Sequence, residues 1–361
     1  MLNFLADEIY CEFVIGAYGS MRLTTLKIIL TIFQTSLIVS RSSFLCIYIM
    51  KVGVLLPQTG ESATRENVLY VGKEAEKEGI DSLWVFERLL WPLNPQTPYG
   101  GVPGVPIPVE YQSVLDPLET LVYLAGNTEQ ISLGTSIIDM PFHNPVTLAR
   151  RFATLDVLSG GRVIAGLGTG WSKDEYDASG IPYKHRGARA DEFLQVLKRI
   201  WTDDVVEFKG QFYNIPASKI GPKPVQKPHP PILLGAFSPN AFPRIIKYAD
   251  GWIPIAGFGP LEQQEQAIKV LRDSARKANK DPSNIRIVVL TYPNVLDSSS
   301  TPSSDQQRLP MSGTIDEIGS DIERIKAMGA EHIIFGYNFS PIGRDVKKVM
   351  EVTKQLDRFA K

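Results

Sequence analysis

Glu87 and Arg88 follow directly on the apolar run at residues 83–86. An acid set just past a buried strand can act as a base or accept a hydrogen bond from a ligand. Its plainer reading is an ion pair with Arg88 or with a helical residue. Arg88 stays protonated near neutral pH, so it cannot shuttle a proton, but it would hold an anion. His143 stands in Phe142-His143-Asn144-Pro145, where it fits either a capping position or a catalytic imidazole. Glycines mark two further run ends, Gly166, Gly168 and Gly170 with Thr169 and Trp171, and Gly235 with Ala236 and Ser238. Such backbones let N–H groups come close to a phosphate. The first group is not the dinucleotide fingerprint GxGxxG, because Trp171 occupies the place of the third glycine, and no GK[ST] follows to make a P-loop. Asp174, Glu175 and Tyr176 read as a solvated first helical turn, where acids suit the helix dipole. Lys184, His185, Arg186 and Arg189 read as a solvated basic face or a dock for an anionic tail.

These residues form one site only if the fold brings the run ends together. From Met50 onward, short apolar runs alternate with amphipathic ones. Strands are expected at 52–56, 82–86, 131–138, 163–167, 232–234, 252–255, 285–290 and 333–335. Helices are expected at 65–78, 117–127, 145–158, 188–201, 243–249, 262–278, 315–328 and 346–359. The strands are rich in Val, Ile and Leu without strict alternation, as in a parallel sheet buried on both faces. Eight strand–helix units fit a (β/α)8 TIM barrel, with a doubly wound open sheet as the other arrangement. In the barrel, the C-terminal strand ends converge on one face, where the acid, the arginine and the glycine-marked ends would meet. Three irregular stretches interrupt the pattern, at 91–112 with six prolines and three glycines, at 202–231, and at 291–314. The first and third would sit at the catalytic face as lids.

Charge and cysteine usage exclude other classes. Lys and Arg total 38, Asp and Glu total 39, and the net charge is -1 over 361 residues. No bulk charge argues for nucleic acid or a membrane surface as partner. Two cysteines without CxxC and four scattered histidines give no disulfide framework and no thiolate or histidine metal centre, so no metal is expected. Residues 1–49 differ from the rest, holding both cysteines and no proline. The apolar stretch at 28–39 is too short for a membrane span. The expected arrangement is a non-conforming extension at 1–49, with translation starting at Met50, and one barrel at 50–361. A cytoplasmic protein is expected, with a membrane tether as the alternative if the extension is genuine.

In order and spacing, several segments resemble the bacterial luciferase-like superfamily of flavin and deazaflavin oxidoreductases. They are Asp81-Ser82-Leu83-Trp84-Val85 with Glu87, Leu133 to Ile137, Asn144-Pro145, Ala153 to Arg162, Gly166 to Trp171, Pro231 to Gly235, and Ala249 to Trp252. Gly170-Trp171 through Glu175, with Gly180-Ile181-Pro182 and Arg186-Gly187, is most similar to the F420-dependent branch. The resemblance implies a barrel with an insertion after strand 4 and a cofactor at the C-terminal face. It implies a non-prolyl cis peptide at Ser136-Ile137, forming a bulge behind the cofactor ring. Gly168, Thr169, Gly170 and Trp171 would face the cofactor, with Gly235, Ala236 and Ser238 near its phosphate.

Two departures stand out. Deazaflavin members commonly carry an acid followed by histidine at the end of strand 2, where this chain has Glu87-Arg88. Gly235-Ala236 replaces two glycines. The resemblance implies hydride transfer between coenzyme F420 and a small organic molecule. The alternatives are an FMN-dependent monooxygenase fed by a separate reductase, and a flavin-binding protein without turnover. Members of the family are often homodimers.

Overall fold

The computed structural model describes residues 49–296 and 308–361. Apart from Ile49, the expectations for residues 1–49 therefore lie outside the described residues. Eight parallel strands form the core: β1 (Lys51–Leu55), β2 (Ser82–Val85), β3 (Ser132–Thr135), β4 (Val163–Gly168), β5 (Ile232–Gly235), β6 (Gly251–Ile253), β7 (Arg286–Thr291) and β8 (His332–Phe335). Each pairs with the next in sequence, and β8 pairs back with β1 through Lys51–His332 to Val54–Phe335. The barrel is closed, which excludes the doubly wound alternative.

The helices are α1 (Arg65–Lys77), α2 (Pro117–Ala125), α3 (Pro145–Leu158), α4 (Lys173–Ala178), α5 (Arg186–Thr202), α6 (Phe242–Tyr248), α7 (Leu261–Lys277), α8 (Ile315–Ala327) and α9 (Val346–Ala360). All but α4 match the expected helices to within about two residues. Helix α4 falls where a short solvated turn was expected. It belongs to an insertion between β4 and β5, together with α5 and an antiparallel hairpin, Val206–Lys209 with Asn214–Ser218. Buried Asp156 on α3 ties this insertion down by accepting from the backbone N–H of Gln226 at 3.0 Å and from its Nε2 at 2.6 Å.

Two apolar layers follow from the strand pattern. One lies between the barrel wall and the helices. The other fills the barrel, centred on fully buried Trp84. Space for the indole comes from Gly53 and Gly134, where a Cβ would fall 2.5 Å from Trp84 Nε1 and 2.4 Å from its Cε3. Trp84 Nε1 donates to Ser82 Oγ at 2.6 Å, and Ser82 Oγ lies 2.7 Å from His332 Nε2. Burial lowers the His332 pKa to about 3, so this ring is neutral and belongs to the barrel floor. Among the described residues no helix is long and apolar enough to cross a membrane.

Candidate active site

The strand ends place Glu87, Arg88 and His143 together. Glu87 is 4% exposed. Its Oε1 meets His143 Nε2 at 2.7 Å, and its Oε2 accepts from the backbone N–H of Asp139 at 2.9 Å. Both oxygens are thereby engaged with the segment that follows β3. His143 owes its position to α3. Asn144 caps that helix by accepting from the N–H groups of Val146 and Thr147, and Pro145 occupies the first turn, where no N–H is needed.

Arg88 differs from its sequence reading. It does not stand free for a substrate anion. Its Nη2 donates to Asp139 Oδ2 at 2.9 Å, its Nη1 pairs with Glu175 Oε2 at 3.0 Å, and its Nε donates to the Glu87 carbonyl at 2.7 Å. The guanidinium also lies 5.2 Å from the Trp171 ring centroid and 5.6 Å from that of Tyr111. Glu175 is likewise corrected, since it is a buried partner and not part of a solvated turn. Its side chain is 1% exposed, and Oε1 accepts from the N–H of Leu89 at 2.8 Å. Tyr176 is fully buried, and its hydroxyl donates to the Thr169 carbonyl.

Three carboxylates and one guanidinium thus share a buried cluster. Asp139 is held in it by the two-residue strand Ile138–Asp139, which pairs with Leu167 and Gly168 of β4. Burial raises the pKa of Asp139 to about 7, with Glu87 and Glu175 adding to the rise and Arg88 opposing it. Its 2.9 Å contact with Arg88 would by itself favour the ionised form, but burial and two neighbouring carboxylates outweigh one arginine. Glu175 is raised for the same first reason, burial. Burial works against the charge of Arg88, yet Glu175 and Asp139 raise its pKa, so it stays charged. Asp139 Oδ1 is buried without a hydrogen-bond partner among the described residues.

The Asp139 pKa has a measurable consequence. An unfolded Asp139 ionises near 3.8 and the folded one near 7, so the folded state holds more protons between those values. Its stabilising contribution is complete below about pH 4 and is lost as pH rises through about 7. Urea midpoints should therefore fall from pH 5 to 8 more steeply in the parent protein than in Asp139→Asn. Equal slopes would refute this assignment.

The glycine-marked ends form a shelf around Ile137. The Ser136–Ile137 peptide is cis. Ile137 is half-buried, and its side chain lies over Gly168 and Gly235, where an added Cβ would fall 2.0 Å from Cδ1 and 3.0 Å from Cγ2. Thr169, Gly170, Trp171, Gly235 and Ala236 are half-buried around it. Gly170 has φ +69°, a conformation that glycine adopts without strain. Ser136 Oγ is buried and without a partner among the described residues. Ser238 is exposed beyond β5, where its Oγ accepts from the N–H of Asn240.

The segment after β2 folds across the mouth of the barrel. Gln96 donates from its backbone to Asp174 Oδ2 at 3.1 Å and from Nε2 to Asp177 Oδ2 at 2.8 Å, and Thr97 Oγ1 accepts from the N–H of Lys173 at 3.2 Å. These contacts dock it on α4. Tyr99 meets Trp171 edge to face at 5.6 Å. The basic cluster is largely surface-facing. Arg186 lies 4.0 Å from the Tyr183 ring centroid, and His185, exposed with φ 65°, precedes α5.

A family model described as luciferase-like monooxygenase matches residues 50–325. An uncharacterized protein of Mycobacterium tuberculosis is 33% identical over 226 residues, which cover 62% of this chain and 79% of that protein. An F420-dependent glucose-6-phosphate dehydrogenase of Amycolatopsis mediterranei is 30% identical over 216 residues, covering 58% of this chain and 60% of that protein. Among solved structures, an F420-dependent secondary alcohol dehydrogenase in complex with an F420-acetone adduct superposes with a TM-score of 0.69 at 20% identity, over 87% of this chain and 99% of that one. This likeness bears on the fold.

Proposed function

Because the chain belongs to the luciferase-like monooxygenase family, we propose that it is an oxidoreductase transferring a hydride between coenzyme F420 and a small organic substrate. The observation that carries this reading is the shelf of Ile137 between Gly168 and Gly235, apolar and half-open to solvent. It suits a planar ring, and the buried Ser136 Oγ beside it has a hydrogen bond left to make. The F420-dependent relative favours a deazaflavin over FMN.

A bound 5-deazaflavin supplies hydride chemistry that reacts poorly with oxygen. The chain's residues supply the rest. Ile137, Gly168, Thr169, Gly170 and Trp171 would hold the ring, with Gly235, Ala236 and Ser238 near its phosphate. Glu87 orients His143 and the segment after β3. Asp139 Oδ1 would hold a proton near neutral pH. Residues 91–112 exclude water.

The test is a titration of the purified protein with oxidised F420 and, separately, FMN, followed by tryptophan fluorescence. F420 should bind at least about tenfold more tightly, a difference of about 1.4 kcal/mol. The reverse preference moves the reading to an FMN-dependent monooxygenase. Binding of neither removes the cofactor site.

A further inference from the structure

Five loops at the C-terminal face contribute aromatic rings to one continuous wall. Tyr99 and Tyr111 come from the segment after β2, Trp171 follows β4, Phe258 follows β6, Tyr292 follows β7 and Phe339 follows β8. Ring centroids are 5.9 Å apart for Tyr99 and Tyr111, 5.3 Å for Tyr111 and Phe339, 5.3 Å for Tyr292 and Phe339, and 6.1 Å for Phe258 and Tyr292. Phe258 is 69% exposed, so the wall reaches solvent at that end.

Few cations flank these rings, and Lys173, two residues past Trp171, is exposed on the first turn of α4 and faces the Tyr183 ring at 5.7 Å. Residues 56–64, 254–268, 292–296 and 336–343 contain no Lys, Arg or His. Between residues 86 and 116 the only basic residue is Arg88, which Asp139 and Glu175 already neutralise. Arg308, past β7, pairs with Asp321 through both ends of its guanidinium, at 2.7 and 2.8 Å. Arg344 closes the stretch after β8 and is exposed to solvent. The basic residues Lys184, Arg186 and Arg189 lie instead around the start of α5, in the insertion after β4.

We propose that the substrate is an uncharged, largely apolar alcohol or carbonyl compound, and not a phosphorylated or carboxylated one. The proposal rests on the hydride-transfer reading and narrows it to a substrate class. A phosphate brought to this wall would lose water without gaining a cation, a cost that buried charges rarely recover. An aromatic or aliphatic body gains by burial against the rings. The cations near α5 remain for the anionic tail of the cofactor.

The experiment measures binding of acetophenone, 1-phenylethanol and glucose 6-phosphate by tryptophan quenching, on the full-length protein with and without F420. Turnover is then read as the change in the cofactor's visible absorbance, with oxidised F420 as hydride acceptor for 1-phenylethanol and glucose 6-phosphate and reduced F420 as hydride donor for acetophenone. Acetophenone or 1-phenylethanol should bind at least about tenfold more tightly than glucose 6-phosphate. Tighter binding or faster turnover of the phosphorylated sugar overturns the proposal, as does binding of none of the three. Failure to bind F420 itself removes the hydride-transfer reading, while the binding arm without cofactor still decides the substrate class.

Discussion

Arg88→Leu should destabilise the protein by about 3–5 kcal/mol at pH 8, the cost of breaking a buried ion pair from one side. The substitution leaves Asp139 and Glu175, each with a side chain 1% exposed, without the guanidinium that faces both. The loss should be smaller at pH 5. Arg88 opposes the raised pKa of Asp139, so its removal lets that carboxyl protonate more readily and shed its charge. Arg88→Lys should recover only part of the loss, because a single ammonium cannot reproduce the fork that reaches two carboxylates. Adding Asp139→Asn and Glu175→Gln to Arg88→Leu should restore more than the lysine does, since it removes the orphaned charges themselves. Urea unfolding at both pH values checks all of these. A loss below about 1 kcal/mol that does not vary with pH would mean that water compensates the cluster.

The barrel was legible because its strands are short Val, Ile and Leu runs suited to burial on both faces, and because eight helices of regular spacing separate them. Glu87 and Arg88 were legible from their place at the end of β2, and His143 from its place just before α3, where a capping role and a catalytic one were both open. The partners of Arg88 were not. Asp139 sits in a two-residue strand beyond the Ser136–Ile137 bulge, a length at which no hydrophobic period can be read. Glu175 lies on a helix of six residues, too short to show an apolar face. Its burial depends on the segment after β2 docking from more than 70 positions away, as the contact between Lys173 and Thr97 illustrates. Polar side chains buried by distant segments leave no local signal. The hairpin at Val206–Lys209 and Asn214–Ser218 was hidden for a related reason, since its strands are four and five residues long, too short for the alternation of Val206 and Phe208 with Glu207 and Lys209 to stand out.

Gly168→Val should abolish measurable F420 binding while the barrel remains folded. A Cβ at Gly168 would fall 2.0 Å from Ile137 Cδ1 and 3.1 Å from Asp139 Oδ1. The near contact is the flexible end of a side chain, so the fold can answer by moving Ile137. Overpacking of this kind costs about 1–3 kcal/mol, which a barrel of this size can absorb. Gly235 packs on the other side of Ile137, where even an added Cβ would fall only 3.0 Å from Cγ2, so the side chain is expected to shift toward the mouth. The displaced side chain would then occupy the surface on which the ring is proposed to lie. Gly126→Ala provides the control. Gly126 has φ −81°, and its Cβ would meet nothing closer than 3.8 Å, so binding should not change. Circular dichroism establishes that Gly168→Val is folded, and the F420 titration gives the answer. Unaltered affinity in a folded Gly168→Val protein would place the cofactor elsewhere and would leave the shelf as barrel packing alone.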